Sequence, residues 1–415
     1  MKTIKIFLKA DYLRLTTAFL LLLLLSLAVI AGCGGGRENG GGGGPSGTTL
    51  QNVVFARYAA GQYDIYLIKE DGSGLVSLAA TSDTEFPCGV TTDNRIVFTR
   101  FTAGGGDIYI VNADGTGLTG LRTTADDERC YFSDSTGSSV APNNRVIFER
   151  WTGSQYDLYS INADGTGLAT LANSADSEWY SGVTSNNRVI FWRYAGGTQY
   201  DLYSINADGT GLATLANSAD NEYFAAVAPN NRVIFTRSVG ANENLYSINA
   251  DGTGLVTLAN SADDEWVGGI TSDNRVIVNR SVGGAQVDIY IINADGTGGL
   301  NPVLVAPDSD GAYGITSNNR VLFGRSVGGA NYDLYSINPD GSGLVVLANS
   351  ADAEMMAGIL QCLKCGFSEG VTSNNRVIFE RWTGSQYDLY SINADGTGLA
   401  TLANTADDEY YYDIF

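Results

Sequence analysis

From residue 52 onward the chain repeats one arrangement of apolar and polar positions. Val146 to Arg150 is β-branched and aromatic, and a glycine-containing loop leads to Asp157 to Ile161. Asn162-Ala163-Asp164-Gly165-Thr166-Gly167 is a tight turn, and Leu168 to Leu171 follows it. Glu178 to Thr184 completes the unit, ended by Ser185-Asn186-Asn187 before the next arginine. Short runs of this composition bounded by Gly, Asn and Asp read as strands joined by hairpin turns. No stretch of the unit sustains an apolar period of 3.6 residues, so the pattern predicts four short strands per unit and almost no helix.

The segment Arg145 to Tyr180 returns almost letter for letter from Arg376 to Tyr411. Similar starts occur at Arg95, Arg188, Arg232, Arg275 and Arg320, with Asn52 opening the first unit. Four-stranded units of roughly 40 to 45 residues are the signature of propeller blades, each of which buries its faces only against its neighbours. The first unit has no strand ahead of Val53, and the last run, Asp407 to Phe415, is a first strand with nothing after it. Pairing these two fragments leaves no open sheet edge at the seam. The expectation for residues 51–415 is therefore an all-β, eight-bladed propeller of four-stranded antiparallel blades, closed by its C-terminal strand.

The N-terminal pattern differs. Lys2, Lys5, Lys9 and Arg14 precede an apolar run from Ala18 to Ala31, broken only by Ser26. That run is short for a bilayer-spanning helix and reads as a secretory signal over residues 1–32. Ile30-Ala31-Gly32-Cys33 resembles the bacterial lipobox, which implies acylation of Cys33, and residues 33–50 read as a glycine-rich flexible tether. The resemblance implies an exported protein held to a membrane by its N-terminal lipid only. Gly34 after the cysteine implies the outer membrane of a two-membrane cell, facing periplasm or surface, or else the cell surface where there is one membrane.

The blades also resemble the TolB-family propeller repeat. Asp107-Ile108-Tyr109 with Asn112-Ala113-Asp114-Gly115 matches it well, and Ala228-Pro229-Asn230-Asn231 matches loosely. The likeness covers the whole repeat region and implies a fold, not an activity. The chain departs from TolB in its eight units rather than six and in lacking an α/β domain ahead of them.

Charge and composition then narrow the function. The net charge is −21, so nucleic acid and anionic lipid surfaces are repelled. There is no histidine, which excludes histidine-based hydrolytic triads and zinc–histidine sites. No metal or other cofactor is expected. A recurring charged set comprises Arg57, Arg100, Arg150, Arg193, Arg237, Arg280, Arg325 and Arg381 near the ends of second strands, with carboxylates such as Asp157 and Glu178. These converge on one propeller face. Two readings stand, a ring for a cationic or sugar ligand and a structural ion network, and a residue common to every unit most simply serves the unit. The non-uniform aromatics at the entry to first strands, Phe86, Trp179, Tyr180, Tyr223, Trp266 and Tyr410, are the candidate ligand face, with blade-edge packing as the competing reading.

Two insertions break the symmetry, one around Cys130 and one around Cys362-Leu363-Lys364-Cys365. In an oxidising compartment the four cysteines read as disulfides, Cys88 with Cys130 and Cys362 with Cys365. A four-thiolate metal site or a redox Cys-x-x-Cys is the alternative. The leading functional expectation is a non-catalytic, lipid-anchored scaffold that binds an envelope or extracellular protein, and hence not an enzyme. The alternatives are a carbohydrate-binding or polysaccharide-degrading propeller and a structural surface component.

Overall fold

The structure, a computed structural model, describes residues 30–31, 50–130, 138–196, 199–284, 286–327, 331–349, 354–356, 371–383, 386–405 and 407–414. Among the described residues every regular element is a strand. The strands form eight antiparallel four-stranded blades, so the chain is the eight-bladed β-propeller that its repeats predict. Blade four is representative: Glu178–Val183, Arg188–Ala195, Gln199–Asn206 and Ala213–Ala216 pair in chain order. Blade one is assembled from both ends of the chain. Its first strand is Asp408–Ile414, which lies antiparallel to Asn52–Ala59 with Phe55 opposite Tyr411 and Arg57 opposite Glu409. Ile30 and Ala31 add a short parallel pairing along Asp413 and Ile414.

First strands of neighbouring blades touch one another, which places them nearest the axis and the fourth strands outermost. Each second strand is packed by a neighbour on both sides and therefore reads as a continuous apolar run, not an alternating one. Val189, Ile190 and Phe191 are all fully buried. The core is a set of layers between blades: Ile190, Leu202 and Leu215 of blade four meet Val233, Phe235 and Ile248 of blade five. Phe191 stacks on Tyr203 at 5.6 Å between ring centroids, and the equivalent Phe235 and Tyr246 do so at 5.5 Å. Burying such a ring contributes about 1.5–3 kcal/mol each.

The two faces of the wheel are built differently. The lower face carries the tight turns between first and second and between third and fourth strands. Asn187, Asn231, Asn274 and Asn319 each sit at φ between 63° and 66°, a left-handed conformation that Asn tolerates better than other side-chain-bearing residues. From there their side chains reach the preceding blade. Asn143 N–H donates to Asn187 Oδ1 at 2.8 Å, Asn230 N–H to Asn274 Oδ1 at 2.7 Å and Ser272 N–H to Asn319 Oδ1 at 2.8 Å. At the seam Ser373 N–H donates to Gln51 Oε1 at 2.6 Å, so the belt continues where the chain begins. In the other turn Gly209 has φ 88°, and a Cβ there would lie 2.8 Å from Thr170 O of the preceding blade. Glycine is thus required both by the turn and by the close approach of blades.

Candidate functional site

The upper face carries the loops between second and third strands and the loops that enter the first strands. The recurring arginines end up here, each opposite an acidic residue on the first strand of its own blade. Arg193 Nε donates to Glu178 Oε1 at 3.0 Å, and the same contact joins Arg100 to Glu85, Arg237 to Glu222 and Arg280 to Glu265 at 3.0, 3.0 and 3.2 Å. Arg325 pairs with Asp310 at 2.7 Å, and Arg150 with Glu128 at 3.1 Å. Strand register sets Arg57 opposite Glu409 and Arg381 opposite Glu354. Arg150 and Asp157 flank the same hairpin loop. The two are register partners, but the ion pair goes to Glu128. Each guanidinium also lies over the tyrosine of its third strand, Arg193 over Tyr203 at 4.7 Å and Arg150 over Tyr159 at 4.6 Å, a cation–π geometry.

Glu85, Glu128, Glu178, Glu222, Glu265 and Asp310 are buried, and Ser174 and Ser218 donate their hydroxyls to Glu178 and Glu222. Among the described residues the second oxygens, Oε2 of Glu178 and of Glu222, have no hydrogen-bond partner. Asp157 and Asp201, at the starts of third strands, have carboxyls raised above the usual range chiefly by burial. Burial thus disfavours the charged form of these two carboxyls.

The candidate aromatics separate by strand parity, because consecutive residues of a strand point to opposite sides. Trp179, Tyr223 and Trp266 are half-buried at the upper rim. Tyr180 points the other way: it is buried, takes Glu149 through its N–H at 2.9 Å and donates its hydroxyl to Ser138 O. Phe86 is buried between Tyr63 and Phe101, with centroids 5.0 and 5.8 Å away. Tyr410 holds a place on the closing strand, and its side chain lies outside the described residues.

Around Trp179 the fold assembles a larger cluster than the sequence singled out. Register places Trp192 opposite Trp179 and Tyr194 opposite Tyr200. Trp179 and Trp192 are 5.5 Å apart, Trp192 and Tyr200 4.9 Å, and Tyr194 and Tyr200 4.8 Å. Tyr223 of blade five extends the cluster, 5.5 Å from Tyr200. All five rings are half-buried, which gives a continuous aromatic surface across two blades. Burial, then the Glu243 carboxylate, then Tyr194 push the Tyr223 phenol up. Asp176, in the loop entering blade four, accepts Gly196 N–H at 3.1 Å at the edge of the cluster.

Blade seven departs from this plan. Gly311 and Gly324 are register partners where blade four has Trp179 and Trp192, and Tyr313 occupies the space above them. A cavity of about 230 Å³ opens beside it, lined by Trp266, Asn279, Ser309, Tyr313 and Tyr332 among others.

Cys88 and Cys130 form a disulfide between first strands of neighbouring blades, with Cα atoms 5.6 Å apart. Cys362 and Cys365 lie outside the described residues, as does Cys33. Among the described residues no group of three or more His, Cys, Asp or Glu side chains could hold a metal ion.

No protein-family model matches the sequence, and no curated protein does. Solved structures do match in fold. A puromycin hydrolase, solved as its S511A mutant complexed with PGG, superposes with TM-score 0.52 at 13% identity over 77% of this chain and 53% of that chain. An oligogalacturonate lyase in complex with manganese gives TM-score 0.50 at 12% identity over 86% of this chain and 97% of that one. TolB from Acinetobacter baumannii gives 0.38 at 12% identity over 75% and 80%. The chain thus spans about half the length of the hydrolase. At these identities the likeness establishes the fold, and the TolB superposition is too loose to place the repeat in that family.

One expectation is overturned. The expectation that the chain is not an enzyme rests on its lipid anchor and tether, its repetition and the absence of a nucleophile–base constellation in the sequence. The same propeller fold occurs in a hydrolase and in a lyase, so a repeating scaffold is no argument against catalysis, and a non-catalytic role finds no support in the fold.

Proposed function

We propose that this protein is a carbohydrate-binding propeller that degrades a polysaccharide on its upper face. The observation that carries the reading is the continuous aromatic surface of Trp179, Trp192, Tyr194, Tyr200 and Tyr223. Broad half-buried aromatic faces with hydroxyl tips suit the apolar faces and hydroxyl edges of sugar rings. The oligogalacturonate lyase of the same fold supports the class of substrate, since nearly its whole length is matched. Its manganese is not carried over: no histidine exists here, and no acidic or thiolate cluster of metal-binding size occurs among the described residues. The acid–base groups that remain on this face are carboxyls and phenols. Asp201 is an example, raised by burial and 3.5 Å from the Tyr203 hydroxyl.

The test is a glycan array followed by product analysis of every oligosaccharide retained. Binding that Trp192→Ala weakens at least tenfold, with shortened products, supports the reading; an array with no retained glycan ends it. Export and acylation at Cys33 belong to the same proposal. Replacing Cys33 with alanine is expected to move the protein from the membrane pellet to the soluble fraction.

A further inference from the structure

The charge around the aromatic surface says which sugars it takes. On the upper face, Arg193 and Arg237, the arginines of blades four and five, are already committed to Glu178 and Glu222. Those two glutamates are fully buried and each pairs with its arginine, so the pairs cancel in charge and leave neither arginine free for an anionic ligand. Asp176 and Asp220 flank the same loops, half-exposed, and Glu243 stands near enough to Tyr223 to raise its phenol. Of the lysines in the sequence, Lys69 is the only one among the described residues, and it lies on blade one. Among the described residues no cation is left over at this surface to meet a uronate carboxylate.

Resting on the carbohydrate reading above, we propose that the aromatic surface of blades four and five binds a glycan with free amino groups, an amino-sugar polymer, and rejects polyuronates. The rings stack on the sugar faces while Asp176, Asp220 and Glu243 attract the ammonium groups. Aromatic faces favour cations through their quadrupole, so the two attractions act together. A polyuronate brings like charge to a negative surface and is disfavoured by the same field. The preference is electrostatic and therefore weakens as salt rises and the Debye length falls from about 10 Å at 0.1 M to about 3 Å at 1 M.

The full chain is titrated with three hexamers, of glucosamine, of N-acetylglucosamine and of galacturonate, following tryptophan fluorescence at low and high salt. The expected result is glucosamine hexamer at least tenfold tighter than its N-acetylated form, no galacturonate binding, and a preference that shrinks at high salt. Trp192→Ala abolishes binding of both amino-sugar hexamers with the melting temperature nearly unchanged, whereas Asp220→Asn narrows the preference for the free amine and keeps the N-acetylated form bound. Equal affinity for the two amino-sugar hexamers overturns the charge inference and leaves the carbohydrate reading standing. Tightest binding to galacturonate overturns it too. Silence with all three overturns this inference, and the glycan array then decides the broader reading separately.

Discussion

The lower and upper faces are made from the same blades, yet one is uniform and the other is not. Below, blade after blade places an asparagine at positive φ and passes its side-chain oxygen to the neighbouring turn. Above, the position one residue after the buried acid is Phe86, Trp179, Tyr223, Trp266 or Gly311, and its register partner varies as widely. What every blade shares holds the wheel together, and what differs between blades gives one sector a surface that the others lack. Substitutions below should therefore lower stability without touching recognition, and substitutions above should do the reverse.

The largest effect expected is on the seam. Removing 408–414 strips Asn52–Ala59 of its partner strand and exposes a long apolar edge, so cooperative melting should be lost or Tm should fall by more than about 10 °C. Next comes Phe191→Ala, which empties a fully buried site shared with Tyr203 and should lower stability by about 3–5 kcal/mol in denaturant titration. Arg193→Met tests whether the ion pairs belong to the shared or the variable part. It strands the buried Glu178 carboxylate, and a loss near 3 kcal/mol at neutral pH, relieved by adding Glu178→Gln, marks the pair as part of the frame.

A smaller effect separates two ways of tying a second strand to the next blade. Asn279 donates to Ala312 O and accepts from Ala312 N–H, both at 2.9 Å. Glu149 holds the equivalent place and accepts from Tyr180 N–H at 2.9 Å, while burial pushes its carboxyl up to about 8 against the opposing pull of that hydrogen bond and of Arg129. Because the folded value lies above the unfolded one, folding takes up a proton. The contribution is whole below the ordinary carboxylate range and is lost as pH rises toward 8, at up to about 1.4 kcal/mol per pH unit. Glu149→Gln should flatten that slope, and an unchanged stability–pH curve would show that Glu149 is charged in the fold. The smallest stability effect belongs to Asn231→Ala, about 1–2 kcal/mol for the left-handed turn and its link, with carbohydrate binding untouched.

The wheel was legible in the sequence because each blade repeats its apolar runs and turns, and because the two incomplete units complement each other at Val53 and Asp407 to Phe415. The aromatic surface was legible only in part. Trp179 and Tyr223 stand out as irregular residues beside recurring acids, but Trp192, Tyr194 and Tyr200 join them only through strand register. Parity within the strand turned Tyr180 inward, and neighbouring rings enclosed Phe86, which spacing along the chain does not reveal. Glu149 sits in a run, Arg145 to Arg150, that reads as partly charged, and only packing against the next blade shows that its carboxyl is out of water. Repetition did not bear on catalysis, since the same fold occurs in a hydrolase and in a lyase.

The asparagine belt has a consequence for how the gene could be written. Gln51 fills, at the join, the office that asparagine holds at the other turns, so the ring does not depend on one privileged starting blade. Joining Phe415 to Leu50 and cutting instead between Ser185 and Asn186 should yield a circular permutant that folds to the same wheel, its aromatic sector intact but now interrupted in sequence.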